Sequence, residues 1–520
     1  MLPFNKKSKS ETNNRTHDNK YLGTVKLDEF DKDIGSNNWV INAEKCKNKA
    51  PIMANDPHLF LTLPGTFYEA HMVSDELKVY GYTIPGIPLI LSGHNYKVTW
   101  GITNGEWDLT DRYKLKVKDD LYFYDGQWIP FKKKEYEINV RGFGKKKITQ
   151  QSTVHGKVFT DIGGDYYAQK WYAADKSYSV KSLYLLMKTH NWKSFKKALS
   201  DYDYPPQNFV YSDIDNNIGV VCAGKLPNRV LNFKGGILDG TKELNHVKAN
   251  NTSRSTYNPE NLFLFSANQQ PIQNEEYFGA HWHKNDYRIN RIHSLLKNNN
   301  DWDINKIGEM QLDKVDLSFF EFEKLLNKYD LPIQFKDIFV QLDDWDGNMI
   351  SQSNSALVYE VIRKSMKIES IKFARTYLKV NKAPSFKYFL KYLNQREFNI
   401  PNSISKQRLF ENILRNTDSI LKYDFGKDWM NCRYAMNTNF SIPDISFLPE
   451  FKTKVEGLGG NKNTINMNTN FHPAFRLILE IKENSINGYS IMAGGQSGKL
   501  NSPNYKNQLE LWRLGKYNRI

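Results

Sequence analysis

A serine in a short polar motif is the first residue of this sequence whose chemistry needs attention. Gly35-Ser36-Asn37-Asn38-Trp39 joins a polar leader to a strand-like stretch, and a lone serine in such a place is usually structural. A serine hydroxyl is a poor nucleophile unless a base lies beside it. An α-amino group titrates near pH ~8, well below lysine, so a serine at a chain start carries its own base. Ser36 could use that chemistry only after the bond to Gly35 is cut.

Several further motifs follow Ser36 along the chain. In order, they are Asn55-Asp56-Pro57-His58-Leu59, Gly93-His94-Asn95, Trp100-Gly101-Ile102-Thr103-Asn104, Asp108 with Asp111, Ser266-Ala267-Asn268, Asp286-Tyr287-Arg288 and Gly494-Gly495-Gln496-Ser497-Gly498. Each motif alone is a weak signal, but their order and spacing together are specific. The set resembles the penicillin acylase family of N-terminal-nucleophile hydrolases. The resemblance runs from Ser36 to the C-terminus, the part equivalent to the family's large (β) subunit.

The resemblance implies that Ser36 is the nucleophile and that autocatalytic cleavage between Gly35 and Ser36 exposes it. The α-amine would take the Oγ proton, and Oγ would attack the carbonyl of an N-acyl amide substrate to form an acyl-enzyme. Gly35 fits the cleavage site because a residue without Cβ tolerates a strained backbone. A simple turn glycine is the alternative interpretation of Gly35.

The resemblance also implies which residues surround the nucleophile. The main-chain N–H of Asn104 and the side chain of Asn268 would stabilise the oxyanion of the tetrahedral intermediate. Arg288 would hold the amine and the asparagine in place. His58 would support the nucleophile through its ring or its backbone. Without the resemblance, Asn268 would be interpreted as a loop-capping amide and Arg288 as a surface cation.

Two further groups of residues match family positions. Asp108, the main chain of Thr110, and Asp111 correspond to calcium ligands, and hard oxygen ligands suit Ca²⁺, although a solvated acidic turn explains them as well. No organic cofactor is expected. The candidate substrate-binding residues are Leu59, Ser92, Ile102 and Phe209. Leu59 and Ile102 point to an apolar acyl chain, but ordinary core packing explains each of the four equally well.

The apolar pattern changes along the chain and predicts an α+β fold. From Trp39 to about residue 240, short apolar runs alternate with Gly, Pro, Asn and Asp clusters, which is typical of hairpin-rich sheet. Apolar residues at helical spacing follow from Asp286, and strand-like texture returns near the C-terminus. The resemblance implies four αββα layers. Residues 1–35 are interpreted as a spacer, 36–520 as the catalytic domain, and about 287–425 as a helical insert.

The composition limits the classes of partner that the protein could bind. The net charge of +15 raises the possibility of nucleic acid or an anionic surface, but the lysine runs at 132–134 and 145–147 alternate with acids and are interpreted as solvated, so no nucleic acid partner is expected. No apolar run is long enough to span a membrane, and residues 1–20 lack the apolar core of a secretory signal, although family members mostly work in the periplasm or outside the cell. Cys46, Cys222 and Cys432 are interpreted as buried thiols.

The 35 residues before Ser36 are too few to hold the family's small (α) subunit. One hypothesis is an amidohydrolase whose small subunit is encoded by a separate gene or whose start has been lost or misassigned. The other is a truncated or inactive remnant, or a subunit that is active only with such a partner. The basic composition leaves a nucleic-acid-binding protein as a third and weaker interpretation.

Overall fold

A computed structural model describes thirteen stretches of the chain. They are residues 35–161, 163–227, 236–242, 249–251, 254–271, 286–380, 384–395, 405–425, 440–442, 453–455, 457–469, 471–483 and 485–520. The described residues within 32–320, 341–357 and 430–520 form one compact unit, and those within 321–340 and 358–429 form another. All of the candidate site residues belong to the first, larger unit.

Among the described residues, strands predominate before residue 270 and helices between residues 286 and 425. The strands are β1 (Gly35–Ile41), β2 (Ile52–Leu59), β3 (Tyr68–Val73), β4 (Lys78–Thr83), β5 (Ser92–His94), β6 (Val98–Asn104), β7 (Thr110–Lys114), β8 (Val117–Lys118), β9 (Leu121–Tyr124), β10 (Gln127–Pro130), β11 (Lys132–Val140), β12 (Gly144–Thr153), β13 (Gly156–Thr160), β14 (Tyr166–Trp171), β15 (Gln207–Asp213), β16 (Ile218–Ala223), β17 (Lys225–Pro227), β18 (Ile237–Asp239), β19 (Ala249–Asn251), β20 (Arg254–Tyr257), β21 (Phe263–Ser266), β22 (Phe440–Ile442), β23 (Thr453–Val455), β24 (His472–Pro473), β25 (Phe475–Lys482), β26 (Ser485–Met492) and β27 (Asn518–Arg519). The helices are α1 (Ser179–Leu186), α2 (Trp192–Ala198), α3 (Tyr287–Asn298), α4 (Ile304–Gln311), α5 (Ser318–Leu326), α6 (Lys336–Leu342), α7 (Asn354–Phe373), α8 (Phe386–Asn394), α9 (Lys406–Phe425) and α10 (Leu509–Arg513).

Two antiparallel sheets form the centre of the larger unit. The first has the order β21-β1-β2-β25-β26-β27, with β24 also paired to β2, and the second has the order β20-β16-β15-β6-β5-β4-β3. Their facing sides share one apolar core that includes Val40, Met53, Val210, Leu477 and Ile491. Burial of such side chains contributes roughly 1.5–3 kcal/mol each, so this core holds the sheets face to face.

Helices cover the outer sides of both sheets. Helices α3 and α4 pack on the first sheet through a cluster that joins Trp39 and Ile52 to Ile292 and Ile307. Helices α1 and α2 pack on the second sheet, where Trp100 lies among buried helix residues. The order of layers is therefore helix, sheet, sheet, helix. The predicted four-layer α+β fold is confirmed.

Strands β1 and β2 are almost wholly buried although their sequences are polar. Every residue of GSNNWVI is buried, as are the first seven residues of IMANDPHL. Pro57 has no N–H, and it lies between the segment of β2 that pairs with β25 and the segment that pairs with β24. The missing donor therefore costs no ladder hydrogen bond, and β2 continues through a proline that would ordinarily interrupt a central strand.

The smaller unit is helical. Helices α8 and α9 lie entirely within it, together with most of α5, α6 and α7. Its aromatic core brings the Phe322 ring within 5.9 Å of Tyr359 and 6.1 Å of Phe410. Helices α3 and α4, which fall in the same helix-rich stretch of sequence, belong instead to the larger unit. Among the described residues, no helix is both long and apolar enough to cross a lipid bilayer.

The cysteine interpretation is confirmed for two of the three residues. Cys46 and Cys222 are free, buried thiols, and burial raises the pKa of each to about 12. Neither is therefore a thiolate at neutral pH. Cys432 lies outside the described residues.

The burial of two histidines predicts that the free energy of unfolding falls in mild acid. Burial lowers the pKa of His94 and of His472 to about 3, whereas an unfolded histidine titrates near ~6.5. Between these values the unfolded state binds more protons, so the free energy of unfolding should drop by about 1.4 kcal/mol per pH unit for each histidine as pH falls from 6.5 towards 3. Urea unfolding of wild type and His94→Gln at several pH values measures this. The variant should show the shallower slope, and the same change at exposed His190 should not alter it.

Candidate active site

Ser36 lies in β1 with its hydroxyl beside the peptide bond that precedes it. Its side chain is buried, and Oγ donates a hydrogen bond to the carbonyl oxygen of Gly35 at 2.8 Å. The main-chain N–H of Ser36 donates to Oδ1 of Asn268 at 2.7 Å. The Ser36 nitrogen is therefore held by a side-chain acceptor, and the Ser36 hydroxyl lies next to the carbonyl of Gly35.

Arg288, near the start of α3, binds both sides of this serine. Its Nη1 donates to the carbonyl oxygen of Ser36 at 2.7 Å and to Oδ1 of Asn37 at 2.6 Å. Its Nη2 donates to the carbonyl oxygen of Ala267 at 3.0 Å and to Oδ1 of Asn268 at 3.2 Å. Burial lowers the pKa of Arg288 to about 10, so the guanidinium remains a cation at neutral pH. The structure thus places Arg288 in the site and not on the surface.

Asn268 lies just beyond β21 and connects the serine to β6. Its backbone has φ +65°, a left-handed conformation that asparagine tolerates better than most residues. Its Oδ1 accepts from Ser36, and its Nδ2 donates to the carbonyl oxygen of Asn104 at 3.1 Å. The two predicted oxyanion donors, Asn104 and Asn268, are therefore direct neighbours. The side chain of Asn104 itself points to Glu106, with which it forms a 2.8 Å hydrogen bond.

Asp56 of β2 supplies a buried carboxylate directly opposite Asn37 of β1. The sequence motifs assigned it no role. Asp56 Oδ2 accepts from Nδ2 of Asn37 and from Nε2 of His58, both at 2.8 Å. Its Oδ1 accepts from Nε2 of Gln311 at 3.3 Å. Because Asn37 in turn accepts from Arg288, the carboxylate orients the guanidinium through one amide. Asn37 and Asp56 lie in the motifs around Ser36 and His58, but only the strand pairing shows that their side chains meet.

The ring of His58 lies on the opposite face of the sheet from the Ser36 hydroxyl. In the β1–β2 pairing, His58 is opposite Gly35 and Ser36 is opposite Pro57, and side chains alternate between faces along a strand. The ring is fully buried and bonded to Asp56, and burial lowers the pKa of His58. Of the two expected routes to the nucleophile, the main chain of His58 fits this geometry and the ring does not.

A second set of buried amides joins β1 and β2 to β6. Asn55 Nδ2 donates to the carbonyl oxygen of Asn37 at 2.7 Å, and its Oδ1 accepts from Ser92 Oγ at 2.7 Å and from the N–H of Ile102 at 3.1 Å. Asn38 Nδ2 donates to the carbonyl oxygen of Gly101 at 3.2 Å. These bonds fix the distance between Ser36 and the end of β6, where Asn104 lies.

Comparison with known proteins places the sequence in a family, because the model of the penicillin amidase family matches residues 3–520. The chain belongs to the penicillin amidase family. It is 29% identical over 208 residues to penicillin G acylase of Escherichia coli, covering 37% of this chain and 24% of that protein. It is 22% identical over 562 residues to the acyl-homoserine lactone acylase QuiP of Pseudomonas syringae pv. syringae, covering 93% of this chain and 66% of that protein.

A solved structure agrees with the fold. The thermostable penicillin G acylase from Alcaligenes faecalis superposes with a TM-score of 0.76 at 20% identity, covering 93% of this chain and 96% of that chain. The resemblance to the penicillin acylase family is thus confirmed. The aligned part of this chain spans less than two thirds of the length of the Escherichia coli and Pseudomonas syringae relatives.

The side chains of the four candidate substrate residues of this penicillin amidase family member do not share one face, although Ser92 and Ile102 both bond to Asn55. Leu59 is on the inner face of β2 and packs against the core between the sheets. Ser92 is buried and bonded to Asn55. Ile102 and Phe209 are opposite each other in the β6–β15 pairing and both pack on the side of α1 and α2. A role in substrate binding stays a prediction for all four.

The two acidic side chains among the candidate calcium ligands each accept a hydrogen bond from a nearby residue. Asp108 Oδ1 accepts from the N–H of Thr110 at 3.2 Å, and Asp111 Oδ2 accepts from the Tyr172 hydroxyl at 2.9 Å. Within the described part of the chain, no three His, Cys, Asp or Glu side chains are grouped as a metal site would need. Ca²⁺ takes six to eight oxygen ligands, so these residues can supply only part of such a site.

The close approach of Arg288 explains why residue 35 is a glycine. The residue lies in a strand, and a Cβ added to it would lie 2.8 Å from Arg288 Nη2 and 3.2 Å from its Cζ. We expect Gly35→Ala to displace the guanidinium and slow cleavage before Ser36 at least about tenfold, since a 1 Å misplacement typically costs roughly 10²-fold. Time courses of chain cleavage measure the rate. Gly65→Ala is the matched control, because its Cβ would meet no atom closer than 3.7 Å; equal rates for both variants would contradict the explanation.

Proposed function

We propose that this chain is the catalytic, large-subunit portion of an amidohydrolase that cleaves a linear N-acyl amide through Ser36. One observation carries the proposal. The Ser36 nitrogen lies 2.7 Å from Asn268 Oδ1 while its hydroxyl lies 2.8 Å from the carbonyl oxygen of Gly35. Asn268 thus holds the Ser36 nitrogen, and the Gly35 carbonyl holds the Ser36 hydroxyl. The proposal needs both contacts, one for cleavage of the chain and one for hydrolysis of the substrate.

The first reaction would free the amine. Ser36 Oγ attacks the carbonyl carbon of Gly35, and its proton passes to the Ser36 nitrogen as the C–N bond breaks. This N→O shift leaves an ester between Gly35 and the serine oxygen. Water then hydrolyses the ester, which gives a Gly35 carboxylate and a free Ser36 α-amine. The hydrogen bond from that nitrogen to Asn268 would persist, so the new amine would stay beside its own hydroxyl.

The second reaction would use this amine as the base. It takes the Oγ proton, directly or through one water, while Oγ attacks the substrate carbonyl. The N–H of Asn104 and the side chain of Asn268 stabilise the oxyanion. The acyl-enzyme forms as the amine product leaves, and water then releases the acid. The Arg288 cation would favour the neutral, basic form of the nearby amine, because like charges destabilise one another.

The substrate class follows from the relatives and from the apolar candidates. The proteins similar to this chain are named penicillin acylases and acyl-homoserine lactone acylases. We propose a substrate with an apolar acyl group, because Leu59 and Ile102 are the apolar residues at positions that the family resemblance assigns to the acyl pocket. Of the two, Leu59 shares a face of β2 with Pro57, the residue paired with Ser36, whereas Ile102 packs on the side of α1 and α2.

The proposed enzyme works with a small (α) subunit in the periplasm or outside the cell, as the family resemblance implies. That subunit would also supply the further carboxylate that a calcium site at Asp108, Thr110 and Asp111 requires. If calcium binds there, chelation should lower the melting temperature of the complex, and Asp111→Asn should abolish that response. An inactive remnant is the competing hypothesis, and the activity assay separates the two.

The assay uses the chain co-expressed with the small subunit and a panel of p-nitroanilides with aryl-acetyl and aliphatic acyl groups. We expect release of p-nitroaniline from at least one apolar member, and covalent labelling of Ser36 by a sulfonyl fluoride, which reacts with activated serines. A correctly folded complex that hydrolyses none of the panel and leaves Ser36 unlabelled would contradict the proposal and favour the remnant.

A further inference from the structure

One face of the sheet with the order β11-β12-β13-β14-β7-β18 carries an unusual set of side chains. The other face packs, through Tyr113 and Ala168, on a small core with β9 and the segment after β10. Residues opposite each other in an antiparallel pair point to the same face. The register therefore fixes which residues share the first face, which we call the outer face, across β11, β12, β13, β14 and β7.

The outer face of these five strands is basic. Its charged residues are Lys132, Lys134, Lys146, Lys157, Arg112 and Lys114, all of them exposed. No acidic residue within these described strands points to it, although Lys114 is paired at 2.7 Å with Asp165, which directly precedes β14. Glu135 and Glu137, which separate the lysines along the sequence, point to the opposite face. Lysines and glutamates lie close together along the sequence of β11, which suggested that their charges neutralise one another. In the sheet, the glutamates of β11 lie on one face and Lys132 and Lys134 lie on the other.

The same face is rich in exposed apolar groups, which concentrate on the β11–β12 hairpin. Tyr136, Ile138 and Ile148 are 41%, 45% and 49% exposed. Phe143, in the turn that joins the two strands, is 60% exposed. Lysines lie over two of the rings, with Lys134 4.9 Å from the centre of Tyr136. Most residues of the hairpin are exposed, on both faces, and a two-stranded hairpin gains little stability alone.

We propose that the outer face docks on an anionic phospholipid bilayer, with the β11–β12 hairpin as the part that enters the headgroup region. Lysines beside an anionic bilayer are attracted to it, and each strengthens partitioning roughly fivefold. The aliphatic side chains favour lipid over nucleic acid as the partner, because Ile138 and Ile148 can be buried at the acyl boundary but cannot stack on bases. The inference does not rest on the proposed amidase activity.

Vesicle co-sedimentation of the full chain tests the proposal. The probes are vesicles of phosphatidylcholine alone and of phosphatidylcholine with one third phosphatidylglycerol. We expect binding to the anionic vesicles only, with a loss at high salt. Lys134→Glu/Lys146→Glu should weaken that binding at least about tenfold. Ile138→Ser/Ile148→Ser should weaken it severalfold with no change in charge.

The hairpin offers a matched control. Lys133→Glu/Lys147→Glu makes the same change in charge on the same two strands but on the opposite face, with the additional loss of the exposed Lys133–Asp120 ion pair, and it should weaken binding far less. All of these positions are exposed, and melting temperatures check that each variant is folded. Equal losses from the two lysine pairs, full binding by the isoleucine variant, or tighter binding of wild type to a single-stranded oligonucleotide than to anionic vesicles would each overturn the proposal.

Discussion

Ser36→Ala is expected to leave the chain uncut before residue 36 and to abolish amide hydrolysis. The variant lacks the atom that attacks Gly35 and the atom that attacks the substrate. Loss of a nucleophile of this kind costs about 10⁶-fold in a serine hydrolase, so activity should fall at least about 10³-fold, to the detection limit. Ser36→Cys should still be cut, because sulfur can also attack the Gly35 carbonyl. Gel electrophoresis and p-nitroanilide hydrolysis of the complex measure the two effects.

Ser212→Ala is a suitable control for loss of a buried hydroxyl. Ser212 is fully buried in β15, and its Oγ lies 2.6 Å from the hydroxyl oxygen of Thr99, so the change removes a hydrogen bond in the same sandwich. It should reduce stability by about 1 kcal/mol and leave cleavage and hydrolysis intact. Amide hydrolysis by a Ser36→Ala complex at the wild-type rate would show that another residue is the nucleophile.

Asn268→Asp is expected to lose most of its catalytic rate, and to lose some stability because its second carboxylate oxygen replaces the Nδ2 that donates to the carbonyl oxygen of Asn104. The carboxylate keeps an oxygen where Ser36 and Arg288 donate to Oδ1, but it lacks the amide hydrogens that would reach the oxyanion. Removal of one such donor typically lowers kcat about 10²–10³-fold. Because the oxyanion exists only in the reaction, KM should change much less than kcat. Steady-state kinetics of the cut complex separate the two constants.

Asn268→Ala should lose both the donor and the acceptor, and it also places alanine at φ +65°. Asn216 has the same φ in the tight turn between β15 and β16, so Asn216→Ala measures the cost of the backbone conformation alone. That control should lower the melting temperature without changing kcat. If Asn268→Asp kept the wild-type kcat, the assignment of this amide to the oxyanion would be wrong.

The sequence patterns predicted an α+β fold because they are local, whereas the four layers were implied by the family resemblance. Alternating apolar runs before residue 240 indicated antiparallel sheet, and helical spacing after Asp286 indicated the helices that follow. The sequence could not show that polar β1 and β2 lie in the centre of the first sheet. Burial of Asn37, Asn38 and Asn55 depends on partners far away in sequence, and periodicity carries no information about such partners.

The sequence predicted which residues form the candidate site, but it did not predict the hydrogen bonds that connect them. The motifs identified Ser36, Asn268 and Arg288, which the structure brings within hydrogen-bonding distance of one another. The Asp56 carboxylate behind them stood out only as part of a motif, because its contact with Asn37 depends on strand register. The same limit applies to the lysine runs, whose faces become clear only when β11 is paired with β12.

The N-terminal residue of the purified large chain tests the central claim most directly. Mass spectrometry of the chain, expressed with the proposed small subunit, should show a polypeptide that begins at Ser36 with an unblocked amine. A chain that stays joined through the Gly35–Ser36 bond while the same complex hydrolyses amides at full rate would contradict the account, because the proposed base would then not exist.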